Sequence, residues 1–196
     1  MPTVIETKVY TFNELSDNAK DKARTWFREN NLDYDWYDSV YYDTKEVGKL
    51  LGISIDRIYF SGFDSQGDGA CFEGSYSYAK NSVNKIKEYA PVDNELQWIA
   101  KALTDIQKLN FYQLSANVKH SGHYYHEYCT SIDVERNNGC VKESTEDTLT
   151  TLLRDFMHWI YRRLNQEYDY LNSNEVVDDT ILTNEYTFTE SGKRFG

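Results

Sequence analysis

Fourteen residues, Ser61-Gly-Phe-Asp-Ser-Gln-Gly-Asp-Gly-Ala-Cys-Phe-Glu-Gly74, constrain this chain more than any other stretch. Gly62, Gly67 and Gly69 fall close together among small polar side chains, and glycine reaches turn conformations that a β-carbon forbids. On one side stands Ile53 to Phe63, rich in isoleucine and aromatic residues, and on the other Ala70 to Tyr78, with aromatics at Phe72, Tyr76 and Tyr78. The segment therefore predicts an antiparallel hairpin whose connection, Gln66 to Gly69, is longer than a two-residue turn and has room for a bulge. A second hairpin is expected from Phe111 to Lys119, a turn at Ser121-Gly122, and His123 to Glu135.

Helical spacing accounts for most of the rest. Leu15, Ala19, Ala23 and Trp26 place a helix over 17–30, capped by Ser16. Trp36, Val40, Val47 and Leu51 place another over 33–51, stopped by Gly52. A short helix over 81–90 ends at Pro91. Leu96, Ile99, Leu103 and Ile106 form the stripe of the next, capped by Asp93 or Asn94. The longest helix starts at Ser144-Thr-Glu-Asp147 and buries Leu149, Leu152, Leu153, Phe156, Ile160 and Leu164. An opening strand over 4–12, a helix over 175–183 and a terminal strand or hairpin over 186–195 complete an α+β chain. One domain, residues 1–196, is expected, with an antiparallel sheet of hairpins packed against amphipathic helices.

Charge narrows the partners. Twenty-one basic residues against thirty-two acidic give −11, which disfavours direct contact with nucleic acid or an anionic membrane and permits a basic protein partner. The helix expected over 33–51 sets Asp35, Asp38 and Asp43 among Tyr34, Tyr37 and Tyr41. That face imitates the charge spacing of a nucleic-acid backbone; its plain alternative is a solvated helix surface. Cys71, Cys129 and Cys140 lack paired spacing, and neither a signal peptide nor an apolar run of about 20 residues is seen. Free thiols and a cytoplasmic location are expected. Unpaired sheet edges and seventeen tyrosines are compatible with a homodimer.

Three constellations carry chemistry. Cys71 follows Gln66-Gly-Asp-Gly-Ala and becomes a nucleophile if His123 or His126 lowers its pKa. Asp-Gly-Ala-Cys-Phe looks like the Asp-Gly-x-Cys segment of ovarian-tumour-type deubiquitinating cysteine proteases, and Gly122-His-Tyr-Tyr125 like their His-Tyr segment. That resemblance implies a cysteine-dependent hydrolase, although Phe72 to Tyr78 reads as strand where those proteases have a helix. His120, His123, His126 and Cys129 are zinc-type residues, but strand alternation would divide them between two faces, so no metal site is expected. Asp64, Asp68 and Glu73 around the glycine turn are the carboxylates that could bind a divalent cation or act as acid and base, but turn stabilisation is the expected role of the aspartates. Asp64, Gln66 and Asp68 are the binding candidates there, and no cofactor motif is present.

Glu14-Leu-Ser-Asp-Asn-Ala-Lys20, Ser61 to Phe72, His120-Ser-Gly-His-Tyr-Tyr-His126 and Asn184-Glu-Tyr-Thr-Phe-Thr-Glu190 together resemble an uncharacterised family of bacteriophage and prophage proteins. Some of its members are labelled antitoxins. The resemblance implies a phage accessory protein acting in the cytoplasm of an infected bacterium. The expected function is to bind and inhibit or divert a host or phage protein, such as a defence factor or a basic nucleic-acid-processing enzyme. The alternatives are the cysteine hydrolase and an antitoxin-like protein.

Overall fold

A computed structural model describes residues 3, 6–30 and 35–196. Strand β1 (Tyr10–Thr11) passes through a 3-10 turn (Phe12–Glu14) into helix α1 (Asp17–Asn30). Helix α2 (Asp38–Leu51) leads to strands β2 (Ile53–Phe60) and β3 (Ala70–Ser77), then to helices α3 (Ser82–Tyr89) and α4 (Asn94–Leu109). Strand β4 (Leu114–His120), a 3-10 turn (Glu127–Cys129) and strand β5 (Thr130–Arg136) precede the long helix α5 (Glu143–Leu171). Helix α6 (Asn174–Thr183) and strands β6 (Thr187–Phe188) and β7 (Arg194–Phe195) follow. The fold is α+β with antiparallel sheets, and the chain divides into two compact units, 1–37 with 166–196, and 38–165.

In the first unit a small sheet of order β1-β6-β7 accompanies α1 and α6. Phe12, Leu15, Ala19, Ala23, Val177, Ile181 and Phe188 form its core. Trp26 edges onto Tyr186 and Phe188 with centroids 5.5 and 5.9 Å away. The expected strand over 4–12 shrinks to two residues, with residues 4 and 5 outside the described set. Its end has a local cause. The Glu14 carboxylate accepts from the Thr11 backbone N–H at 2.8 Å and from its hydroxyl at 2.9 Å, closing a turn where the strand would continue.

The second unit is built on a meander of order β2-β3-β4-β5. The first hairpin pairs Ile53 with Tyr76 and Phe60 with Ala70; the second pairs Leu114 with Arg136 and His120 with Thr130. A bulge between Ile55 and Arg57 shifts the side-chain alternation, so Ile53 and Ile58 are both buried although five residues apart. Opposite the bulge, β3 comes so close to β2 that a β-carbon on Gly74 would lie 1.9 Å from the Ser54 carbonyl oxygen. Leu96, Ile99 and Leu103 of α4 and Leu149, Leu153 and Phe156 of α5 are buried, and Phe72 edges onto Phe156 at 6.0 Å.

Three further boundaries differ from the sequence expectation. Helix α2 starts at Asp38, so Trp36 and Tyr37 precede it; Trp36 packs on Tyr168 at 5.6 Å within the first unit. Phe111 and Tyr112 are turn rather than strand, with φ of +56° and +61°. The strand expected from His123 begins only at Thr130, because His126 caps the 3-10 turn by accepting from Tyr128 N–H.

Candidate functional site

The glycine turn of the first hairpin seats the loop of the second. A β-carbon at Gly67 would meet Tyr124 Cδ1 at 2.3 Å, and one at Gly69 would meet His126 Cα at 2.6 Å. Gly67, with φ +91°, also needs the left-handed region. Asp68 holds the turn's shape by accepting from Ser65 N–H at 2.7 Å. The seated loop is pinned at its base, where Ser121 N–H bonds to the Cys129 carbonyl at 2.8 Å. His120 stacks on Tyr59 at 4.4 Å and bonds through Nε2 to the Tyr124 carbonyl at 2.9 Å. Glu73 joins the two strands, accepting from Tyr59 OH at 2.9 Å and His120 N–H at 3.2 Å.

Between these loops and α5 lies a cavity of about 400 Å³. Gln66, Asp68, Tyr124, Tyr128, His158 and Tyr161 are among its walls, with Glu127 at its base. The Glu127 side chain is mostly buried and accepts from His158 Nε2 at 2.8 Å. Tyr161 donates to the Phe63 carbonyl at 3.3 Å. Burial first, then the nearby carboxylates of Asp68 and Asp64, hold its phenol above the usual tyrosine range. The Arg154 guanidinium lies over the Tyr128 ring at 5.1 Å.

Gln66, Asp68 and His126 therefore meet at one cavity, with Asp64 close enough to act on Tyr161. His123 is exposed on the loop and does not line it. Cys71 is a different case. It has no exposed surface, and burial, reinforced by Cys129, Glu73 and Glu127, pushes its thiol up to about 12. A nucleophilic thiolate needs the opposite shift. His126 Nε2 instead meets Cys129 Sγ at 3.4 Å. The four zinc-type residues do not converge: among the described residues no group of three or more His, Cys, Asp or Glu is arranged to hold a metal.

The acidic face expected before and along α2 is also altered. Tyr34 lies outside the described residues, and Asp35, which accepts from Tyr37 OH at 2.8 Å, precedes the helix. On the helix, Asp38 is exposed, Tyr41 is half-buried, and Asp43 accepts from Tyr89 OH. Glu46 is paired with Lys49 at 2.6 Å. Much of that charge is thus engaged within the chain.

Glu127, His158 and Tyr161 escaped the sequence reading. The one available signal was that His158 and Tyr161 lie three apart on a helix and so share a face.

Residues 36–174 match the family described as a domain of unknown function, DUF8835. The chain belongs to this family. No curated protein and no solved structure matches it. Among the described residues no helix is long and apolar enough to cross a membrane.

Proposed function

We propose that this chain is an acidic binding protein that engages a basic protein partner, receiving a cationic side chain of that partner in the cavity between the two hairpin loops. The cavity carries this conclusion: Asp68 lines it together with Tyr124 and Tyr161, while Glu127, already paired with His158, adds negative charge to its wall. Carboxylates attract a guanidinium or ammonium group, and tyrosine faces favour it further. The net charge of −11 adds long-range attraction to such a partner. The resemblance to phage proteins supplies the biological setting, in which the partner is a host defence or nucleic-acid-processing protein and its binding inhibits or diverts it.

The test is capture of partners from bacterial lysate by the intact protein, alongside Asp68→Asn, Tyr124→Ala and Cys71→Ser forms. Basic proteins released by raised salt and lost with Asp68→Asn or Tyr124→Ala are expected. Capture that ignores both substitutions would sink the proposal. A biological effect abolished by Cys71→Ser in a folded protein would favour the hydrolase instead, which the burial of Cys71 otherwise opposes.

A further inference from the structure

Helices α4 and α5 are fastened at one end and open at the other. At the fastened end Trp159 Nε1 donates to Asp93 Oδ2 at 2.7 Å, and Arg162 Nε donates to Glu95 Oε2 at 3.0 Å. Towards the C-terminal half of α4 and the N-terminal turns of α5 a groove of about 1060 Å³ opens between them. It shares no lining residue with the cavity at the hairpin loops. Ala102, Ile106 and Leu152 belong to its apolar lining. Three large side chains stand exposed along it: Trp98 at 54%, Leu109 at 80% and Phe111 at 72%. Exposed hydrophobic groups gathered at one concave site mark interaction surfaces.

The backbone singles out the same place. Phe111 and Tyr112 occupy the left-handed region consecutively, a conformation that costs a non-glycine residue free energy and is retained where the surroundings enforce it. The enforcement is visible. Gln107, buried in α4, donates from Nε2 to the Leu114 carbonyl at 2.7 Å and accepts from Leu114 N–H at 3.2 Å. The chain must therefore reverse within a few residues, and Phe111 is left outside, its ring under the Arg136 guanidinium at 5.6 Å.

We infer that this groove is a docking site for a basic amphipathic helix of a partner protein. Its length fits: Trp98 to Leu109 spans about 16 Å of helix, the reach of about three turns carrying anchors at i, i+3 or i+4, and i+7. Its charge decides the occupant. Asp105, Asp147 and Asp155 line the groove along its length, with Arg136 and Lys142 at the open end. Asp105 is shared with Lys101 at 2.6 Å, while burial raises the Asp155 pKa, a sign of incomplete solvation. Lysine or arginine flanking an apolar face meets these carboxylates. A helix C-terminus, the negative end of its dipole, meets Arg136 and Lys142. A second copy of this chain, itself at −11, would bring like charges together.

The probe is a fluorescein-labelled synthetic peptide of about 14 residues, with leucines on one helical face and lysines beside them. Binding to the intact protein is followed by fluorescence anisotropy at physiological salt. A scrambled peptide of the same composition tests whether charge alone suffices. Saturable binding is expected, with dissociation constants at least tenfold weaker for the scrambled peptide. The same loss is expected for Trp98→Ala and for Leu109→Ser, both exposed positions whose substitution leaves the core intact. Asp56→Asn, at an exposed carboxylate that lines neither cavity, should bind the peptide as the parent does, which separates a loss at the groove from a general loss of negative charge. Equal affinity for both peptides, or full affinity in both groove variants, overturns the inference. So does sedimentation showing a dimer that Leu109→Ser dissociates, since the groove would then belong to a second copy.

Discussion

Gly69 lies against the backbone of His126, with room for a hydrogen but not for a β-carbon, which would sit 2.6 Å from His126 Cα. This contact joins the turn of one hairpin to the loop of the next and sets the width of the cavity between them. Its partner atom is main chain, so the clash cannot be relieved by a side-chain rotation. Gly69→Ala should therefore cost about 1–3 kcal/mol, as overpacking does, measured by urea unfolding. Gly122→Ala provides the contrast: nothing lies within 4 Å of its β-carbon position, so only its φ of +99° is penalised.

Gln107 is the side-chain counterpart of that backbone contact. Fully buried, it satisfies both the N–H and the carbonyl of Leu114. Gln107→Leu keeps the volume but orphans two buried polar groups, each worth about 1–3 kcal/mol. Thermal and urea unfolding should show a loss of that order. Hydrogen exchange at Leu114 should accelerate more than exchange in the middle of α5.

What the sequence made legible followed periodicity. The stripe Leu96, Ile99, Leu103 and Ile106 predicted α4, and all four side chains are buried. Both hairpins of the larger sheet were legible from their turn residues. The errors lie where local bonding outweighs propensity. Aromatic Phe111 and Tyr112 read as strand, yet Gln107 dictates a turn there. His123 to Cys129 read as strand because tyrosines alternate with polar groups, yet His126 caps a 3-10 turn. Of the cavity, Gln66, Asp68 and His126 were legible from their setting. Glu127 and His158 meet across thirty-one residues through tertiary packing, which no local pattern encodes.

Arg24 and Asp178 tie α1 to α6 through a two-pronged pair, Nε to Oδ1 at 2.7 Å and Nη2 to Oδ2 at 2.6 Å. Both side chains are largely shielded from water, so the pair escapes most of the screening that weakens surface bridges. Lysine cannot supply the planar fork. Arg24→Lys should cost about 1–2 kcal/mol, the scale of a lost charge-assisted hydrogen bond. Asp21, exposed and bonded to the same arginine, offers the comparison. Asp21→Asn should change stability by less than about 0.5 kcal/mol.

The burial of Cys71 makes a prediction about alkaline pH whose sign follows from proton linkage. The unfolded chain releases this proton near 9, while the folded chain holds it until about 12. Between those values the folded state binds more protons, so raising the pH favours unfolding. The contribution is intact below pH 9 and lost as pH climbs towards 12. Tyr76 adds to the same limb, since burial pushes its phenol from an ordinary 10.0 to about 12, but its window opens a unit later. Tyr89 is likewise raised to about 12, chiefly by its bond to Asp43, and Tyr59 and Tyr161 are raised as well. Cys71→Ala should therefore reduce the slope between pH 9 and 10 in urea unfolding and leave the tyrosine share in place. The same burial predicts alkylation rates at pH 8. Iodoacetamide should modify exposed Cys140 first, half-buried Cys129 next, and Cys71 only as fast as the protein opens. A Cys71 that reacts as readily as Cys140 in the folded protein would show an activated thiolate and restore the hydrolase.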